Sequence, residues 1–413
     1  MLKQLILENW KSFRYAELPL DPLTVLIGTN ASGKSNVVEA LEFLQRIAKG
    51  ENIEAALAGD KTLPSIRGGV EWAAKEGENE FTLKVLVADR DGKTDYLYRI
   101  TLKTRPSIHN LIEKITIYQD NHEYFPIQFG LSRDNFSAKS SLINRVDFFG
   151  LPLDFIESNF LSEPSKKELY QLDFLKKNSI NIINNIVLPT IQNILILNLV
   201  PYKMRDYSRI SENLESDGSN IAGVLAALDN EQKAEVESTL SGYIKDLPEG
   251  DIKKVFAEPV GRLKTDAMLY CEEEWKPGET TLTDARTMSD GTLRFIAILT
   301  ALLTRPEGSQ IVIEEIDNGL HPSRAELLVR ILREIGSKRK IDILLTTHNP
   351  ALLDALGPEI VPFVVVAHRD KETGESKLTL LEDIDNFSKL FASYSLGDMT
   401  TKGAIERSLS RNE

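Results

Sequence analysis

The chain has 413 residues, 42% of them apolar, which is enough to bury an ordinary core and points to two or three compact units. Its 62 acidic residues against 49 basic ones give a net charge of −13, which excludes general adhesion to nucleic-acid phosphates and confines any such contact to a local patch. The single cysteine, Cys271, excludes an internal disulfide framework and fits a reducing compartment, so a cytoplasmic location is expected.

Met1–Trp10 lacks the charged start, apolar centre and cleavage site of a signal peptide and reads as a strand. The most apolar stretch, Ile186–Pro201, is interrupted by Pro189, Gln192, Asn193 and Asn198. It is shorter than the ~20 residues needed to span a bilayer, so no membrane segment is expected.

In chain order, Leu5–Leu7, Ala16–Leu20 and Leu23–Ile27 read as short strands, the last running into glycine. Val37, Ala40, Leu41, Leu44 and Ile47 then recur at helical spacing. Phe81–Ala88, Tyr96–Leu102 and Ile112–Tyr118, punctuated by Asp91-Gly92 and Arg105-Pro106, predict an antiparallel sheet. These elements make up a first unit, residues 1–119. Residues 120–215 change composition, with helix-like spacing in Leu161–Lys177 and Ile180–Leu199, and are expected to form a mainly helical insertion. Residues 216–413 return to α/β alternation. Helices are expected near Ile221–Leu228, Glu231–Lys245 and Thr292–Leu303. Strands are expected near Val255, Ala267–Cys271, Gln310–Glu315, Ile341–Thr346 and Ile360–Ala367, giving a largely parallel sheet.

Gly28-Thr29-Asn30-Ala31-Ser32-Gly33-Lys34-Ser35 matches G-x-x-x-x-G-K-[ST] at every fixed position and lies between a strand and a helix, as that motif requires. Its glycines let successive backbone N–H groups turn inward around phosphate oxygens at a helix N-terminus. Lys34 is placed to reach the β- and γ-phosphates of ATP and Ser35 to ligate Mg²⁺. The eight loop residues and the following Asn36 are the candidate nucleotide-binding set. Ile311-Val312-Ile313-Glu314-Glu315 reads as a buried strand carrying two carboxylates to a sheet edge. Glu314 is the candidate metal partner beside Ser35, and Glu315 the candidate base that polarises the attacking water.

With these motifs in this order, the chain resembles the ABC ATPase heads of RecF, SMC and OLD-like proteins over most of its length apart from the insertion. The resemblance implies an ABC-type P-loop NTPase head with an antiparallel β subdomain and a helical insertion. Ile316-Asp317-Asn318-Gly319-Leu320-His321-Pro322 is similar to the D-loop of those families, with Ile316 where a transporter carries proline. Glu314 stands where these families usually have Asp. Met288-Ser289-Asp290-Gly291-Thr292 looks like the ABC signature, and the resemblance implies that Ser289, Asp290 and Gly291 meet the γ-phosphate held by another subunit. Without the other motifs, Ser289 or Asp290 would read as an ordinary helix cap. His348, just beyond a buried strand, matches the switch histidine that senses the γ-phosphate; His321 reads as structural. Asn9-Trp10-Lys11-Ser12-Phe13 resembles the segment beside the nucleotide's base and phosphates in SMC-like heads, which makes Lys11 and Ser12 candidates, against the alternative of a strand-to-strand turn with an exposed lysine.

The resemblance further implies a homodimer, two heads meeting head to tail around two ATP molecules. The expected role is the sensor or regulator ATPase of a prokaryotic antiphage defence or toxin-antitoxin system, controlling a separate effector such as a nuclease or toxin. The segment Phe391–Asp398 resembles the ends of stand-alone OLD-like ATPases. The alternative is a DNA-repair or chromosome-maintenance clamp of RecF or SMC type. Its nucleic-acid contact would fall on Lys203, Arg205 and Arg209 or on Lys338, Arg339 and Lys340, although such runs are more often solvated faces. Asp383 and Asp385 have the D-x-D spacing of a metal-dependent nuclease but read as an exposed turn, since too little chain follows His348 to complete such a domain.

Overall fold

The computed structural model describes residues 1–89, 91–119, 122–129, 182–248, 250–319 and 321–409. Sixteen strands among them form three sheets. The first, ordered β2-β1-β4-β5-β6-β7, is antiparallel and comprises Phe13–Pro19, Leu2–Trp10, Glu80–Ala88, Thr94–Lys103, His109–Gln119 and His122–Phe129. It contains the three strands expected between residues 70 and 119, joined to the N-terminal pair and extended by β7.

The central sheet is ordered β16-β15-β3-β14-β13-β8. Strands β15 (Val364–Arg369), β3 (Leu23–Ile27), β14 (Asp342–Thr346), β13 (Gln310–Ile313) and β8 (Ile194–Leu197) run parallel, and β16 (Ser376–Leu380) closes one edge antiparallel. Both faces of this sheet are covered, and the strand pleat divides its residues between two cores. Leu26, Val312, Leu344 and Val365 turn toward the first sheet and the helix Lys34–Ala48. Val25, Ile311, Ile313, Ile343, Leu345 and Val366 turn toward the helices Asp290–Thr304 and Ala325–Arg339. No helix among the described residues is long and apolar enough to cross a membrane.

The structure differs from the sequence reading in five places. Within 120–215, expected to be mainly helical, His122–Phe129 is the strand β7, and β13 stops at Ile313, so that Glu314 and Glu315 lie just past the strand expected to carry them. The Ile180–Leu199 run is not one helix: Ile183–Gln192 is helical, but Ile194–Leu197 is the edge strand β8, buried and paired with β13. A four-residue apolar run has no periodicity to separate strand from helix, and the vacant edge of β13 decides. Leu161–Lys177 lies outside the described residues. Strands β10 (Ile252–Val260), β11 (Asp266–Lys276) and β12 (Glu279–Asp284), with β9 (Ser208–Arg209) beside β11, form a third, antiparallel sheet instead of joining the parallel one. The Ile360–Ala367 strand begins only at Val364, after a 3₁₀ turn set by Pro358 and Pro362.

Asp342 opens β14 with only 3% of its surface exposed. Burial pushes its carboxyl up to about 6, helped by Asp21 and opposed by the N-terminal ammonium. A raised folded-state pKa means that stability is full below the unfolded value and falls as pH rises through about 4 to 6. Asp342→Asn should therefore stabilise the protein at pH 8 by up to roughly 3 kcal/mol, with the gap closing toward pH 4. Urea unfolding midpoints across that range measure this, and a gap independent of pH would contradict the assignment.

Candidate nucleotide site

The parallel order β3-β14-β13 decides where the chemistry lies. Each strand ends at the same sheet edge, so the segments after Ile27, Thr346 and Ile313 lie side by side, where open α/β sheets bind ligands. After β3 the chain turns through Gly28 at φ +144°, where an added Cβ would stand 2.2 Å from the Ala367 carbonyl oxygen. Gly33 caps the next helix at φ +113°, and a Cβ there would meet the Phe13 ring at 2.8 Å. Glycine is required at both positions by backbone angle and by close approach. The loop opens onto the first turn of Lys34–Ala48, which Trp10 anchors from beneath through a 2.7 Å bond from Nε1 to the Asn36 carbonyl.

Lys34 curls over the loop, its ammonium donating to the carbonyls of Gly28 at 2.6 Å and Thr29 at 2.9 Å. Burial lowers its pKa, while Glu315 and Glu314 hold it up. The Ser35 hydroxyl donates to Glu314 Oε1 at 2.5 Å, so the two expected metal partners touch. Hydroxyl and carboxylate oxygens in contact suit Mg²⁺, which takes few protein ligands and completes its shell with water and phosphate oxygens. Ser32, almost wholly buried, has a hydroxyl oxygen with no protein partner inside the same loop.

Beyond β13, the backbone N–H of Glu314 donates to Leu197 O at 3.1 Å. Glu315 adopts φ +47°, a left-handed angle uncommon for a residue with a side chain. Two side chains hold it there. Thr346 Oγ1 accepts the Glu315 N–H at 2.8 Å, and Asn318 Nδ2 donates to Glu315 Oε2 at 2.7 Å. Thr347 Oγ1 bonds Asp317 Oδ1 at 2.5 Å, which fastens the D-loop-like segment to the end of β14. His348 follows, exposed, and Asn349 then caps the helix Pro350–Leu356.

Ser289 caps Asp290–Thr304, its hydroxyl oxygen accepting the Thr292 N–H at 3.1 Å. Gly291 packs against the D-loop-like segment of its own chain: a Cβ there would lie 2.8 Å from both Gly319 O and Arg324 Nη1. The glycine in this motif therefore has a packing reason within the chain, whatever it contacts outside. Arg205 Nη2 donates to Met288 O at 2.8 Å and Asp290 Oδ1 at 2.6 Å.

Lys11 is engaged with its own chain, its ammonium bound to the Glu39 carboxylate and, at 2.8 Å, to Arg67 O. The Ser12 hydroxyl accepts from Asn36 Nδ2 and from the Ser376 hydroxyl, each at 2.7 Å. Both residues border a cavity of about 450 Å³ that Asn36, Arg67, Trp72 and Arg369 also line, with Trp72 63% exposed. The basic clusters are partly neutralised, Lys203 by Asp217 and Arg205 by Asp290, while Arg339 donates to Arg305 O. Asp383 and Asp385 are exposed around a short turn, and His321 caps the turn Pro322–Arg324 by accepting the Ser323 N–H.

A family model described as "AAA domain, putative AbiEii toxin, Type IV TA system" matches residues 23–354, which span the phosphate loop, the signature-like helix, both glutamates and His348. The chain belongs to this AAA-domain family. No curated protein matches it. Among solved structures, an Smc head bound to the C-winged helix domain of ScpA aligns over 92% of this chain and 97% of its own, at 13% identity and a TM-score of 0.51. An SMC head domain from Thermotoga maritima covers 92% and 98% at 16% identity, with a TM-score of 0.43. A third, an Smc head from Pyrococcus furiosus with an extended coiled coil, covers 95% and 99% at 12% identity and 0.44. The fold is that of an ABC-type P-loop ATPase head, and the family implies nucleotide binding.

Arg205, Asn318, Arg324 and Thr346 escaped the sequence reading as site residues because their partners lie across folds of the chain. Asn318 is the partial exception, three residues from the carboxylate it holds. Gly291→Ala should lower stability by about 1–3 kcal/mol through overpacking against Gly319 and Arg324, even without nucleotide. Thermal unfolding of the nucleotide-free protein measures this, and an unchanged midpoint would remove the packing argument.

Proposed function

We propose that the protein is an ATP-hydrolysing dimeric switch, in which two heads enclose two nucleotides head to tail and so control a separate effector. The contact between Ser35 and Glu314 supports the ATP-hydrolysing part of this reading, because it joins the phosphate loop to the acidic strand end; the dimer follows from the likeness of Ser289–Gly291 to the ABC signature. On this reading the loop N–H groups and Lys34 hold the phosphates. Mg²⁺ bound by Ser35 and Glu314 would draw off negative charge from the β- and γ-phosphates. Glu315, aimed by Asn318, takes the proton of the attacking water, and exposed His348 reads whether the γ-phosphate is present.

Ser289, Asp290 and Gly291 serve the partner's nucleotide. ATP thus closes the dimer through its γ-phosphate, and hydrolysis removes that contact. The family's description, naming a putative toxin and a type IV toxin-antitoxin system, supports placing the switch in a prokaryotic defence or toxin-antitoxin system, with a nuclease or toxin as effector. A cytoplasmic homodimer of OLD-like type is the assembly proposed. The pairing of Lys203 and Arg205 within the chain weighs against a nucleic-acid clamp built on that cluster.

Lys34→Ala should weaken ATP binding by about a hundredfold or more, since the charge-assisted phosphate contacts go with the ammonium. Equilibrium binding of a fluorescent ATP analogue reads this, and unchanged affinity would exclude the loop as the nucleotide site. Glu315→Gln should bind ATP normally, hydrolyse it roughly 10²–10⁴-fold more slowly and accumulate as a closed dimer. Phosphate release and light scattering give both readouts; full turnover by this variant would refute the role of Glu315.

A further inference from the structure

We propose that Arg205 is a positioning residue for the signature-like loop, and that residues 197–205 form a strap tying that loop to the Glu314 end of the same chain. The inference rests on the head-to-tail dimer proposed above and adds to it the device that holds the trans-acting half of each site. One guanidinium nitrogen bonds the Met288 carbonyl and the Asp290 carboxylate, the residues on either side of Ser289. Arg205 therefore fixes the backbone from which the Ser289 hydroxyl projects. It also neutralises Asp290, a carboxylate that would otherwise repel a phosphate approaching the helix end.

The strap is anchored at both ends, while Tyr202 within it is exposed. At its start, Leu197 O accepts the Glu314 N–H at 3.1 Å. Asn198 N and Val200 N then donate to Ser216 O and Asp217 O, each at 2.9 Å, and Lys203 pairs with Asp217 at 2.9 Å. Leu199 and Met204 are buried in the core that also holds Met288, Ile313 and Ile316. Met204 fills the space beside Gly218, where an added Cβ would stand 2.6 Å from its terminal carbon. A rigid segment thus runs from the metal-side glutamate of one site to the loop that completes the other. Asp290 is 64% exposed and Arg205 only 27%, so the pair presents the loop outward while its anchor stays covered.

Complementation between inactive variants tests this. Arg205→Ala should keep ADP affinity at its own phosphate loop within about twofold and lose about tenfold or more in ATP turnover. Mixed one to one with Lys34→Ala, it should recover about a quarter of wild-type turnover, because half the dimers are then mixed and each holds one intact site. Mixed with Ser289→Ala, it should recover nothing, since both lesions fall in the same half of the site. Arg205→Lys, which keeps a donor and the charge, should have intermediate turnover, and it replaces Arg205→Ala in the mixing if that variant does not fold.

Rescue of the Arg205 variant by Ser289→Ala but not by Lys34→Ala would place Arg205 in the cis half and overturn the inference. Rescue by neither partner would reduce Arg205 to a general structural role and overturn it too. The control is Lys34→Ala mixed with Ser289→Ala. If this pair fails to recover turnover, the dimer reading itself falls; if it recovers and only the Arg205 pair fails, the strap alone is wrong.

Discussion

The bond between the Ser35 hydroxyl and the Glu314 carboxylate joins residues 279 apart in sequence, and the site depends on the fold that brings them together. It forms because β14 lies between β3 and β13 with all three strands parallel. A parallel neighbour can be reached only by a crossover, so each strand end must be followed by chain that leaves the sheet at the same edge. Reversing one strand would send the glutamates to the far edge. The two apolar cores fix the register, since the pleat commits Leu26, Val312 and Leu344 to one and Val25, Ile313 and Leu345 to the other. A register slip of one residue would exchange every pair.

How much of this could be read in advance follows from the range of each interaction. The phosphate loop was legible because its geometry is written in contiguous residues: Gly28 and Gly33 stand where the backbone takes angles that other residues avoid. The antiparallel strands β4, β5 and β6 were legible from their alternation and turns. Strand β8 was not, because Ile194–Leu197 is equally apolar in either conformation and only the edge of β13 selects one. The third sheet was missed for a related reason. Alternation of helices and strands argues for parallel pairing only where the helices cross between neighbouring strands, whereas β10, β11 and β12 follow one another through short turns. The grip of Arg205 on Met288 and Asp290 joins segments more than eighty residues apart and leaves no local pattern.

The charge balance has a structural counterpart. In a chain with net charge −13, several basic residues are already committed to carboxylates of the same chain. Lys11 shows the cost of this arrangement. Burial lowers its pKa, Glu39 opposes the shift, and its ammonium is turned toward Glu39 and Arg67 O. Lys34 is different: it rests on neutral carbonyls, with the two glutamates acting at longer range. A cation held by carbonyls gives up less when it turns to a phosphate than one paired to a carboxylate, which makes Lys34 the more available of the two lysines.

Glu315 joins the geometry to the chemistry. A left-handed backbone at a glutamate costs of order 1–3 kcal/mol and persists only where its surroundings over-determine it. Here Thr346, from the neighbouring strand, takes its N–H, and Asn318, from the D-loop-like segment, takes its carboxylate. The same segment carries Gly319, whose carbonyl approaches Gly291 at the signature-like helix. The carboxylate assigned to hydrolysis and the loop proposed to meet the other nucleotide are thus braced by one stretch of chain, separate from the Arg205 strap. A displacement of Glu315 moves Asn318, then Gly319, and meets a helix end that has no room for an added methyl group. In the dimer proposed above, coupling between the two sites would therefore arise from contacts already present within each chain.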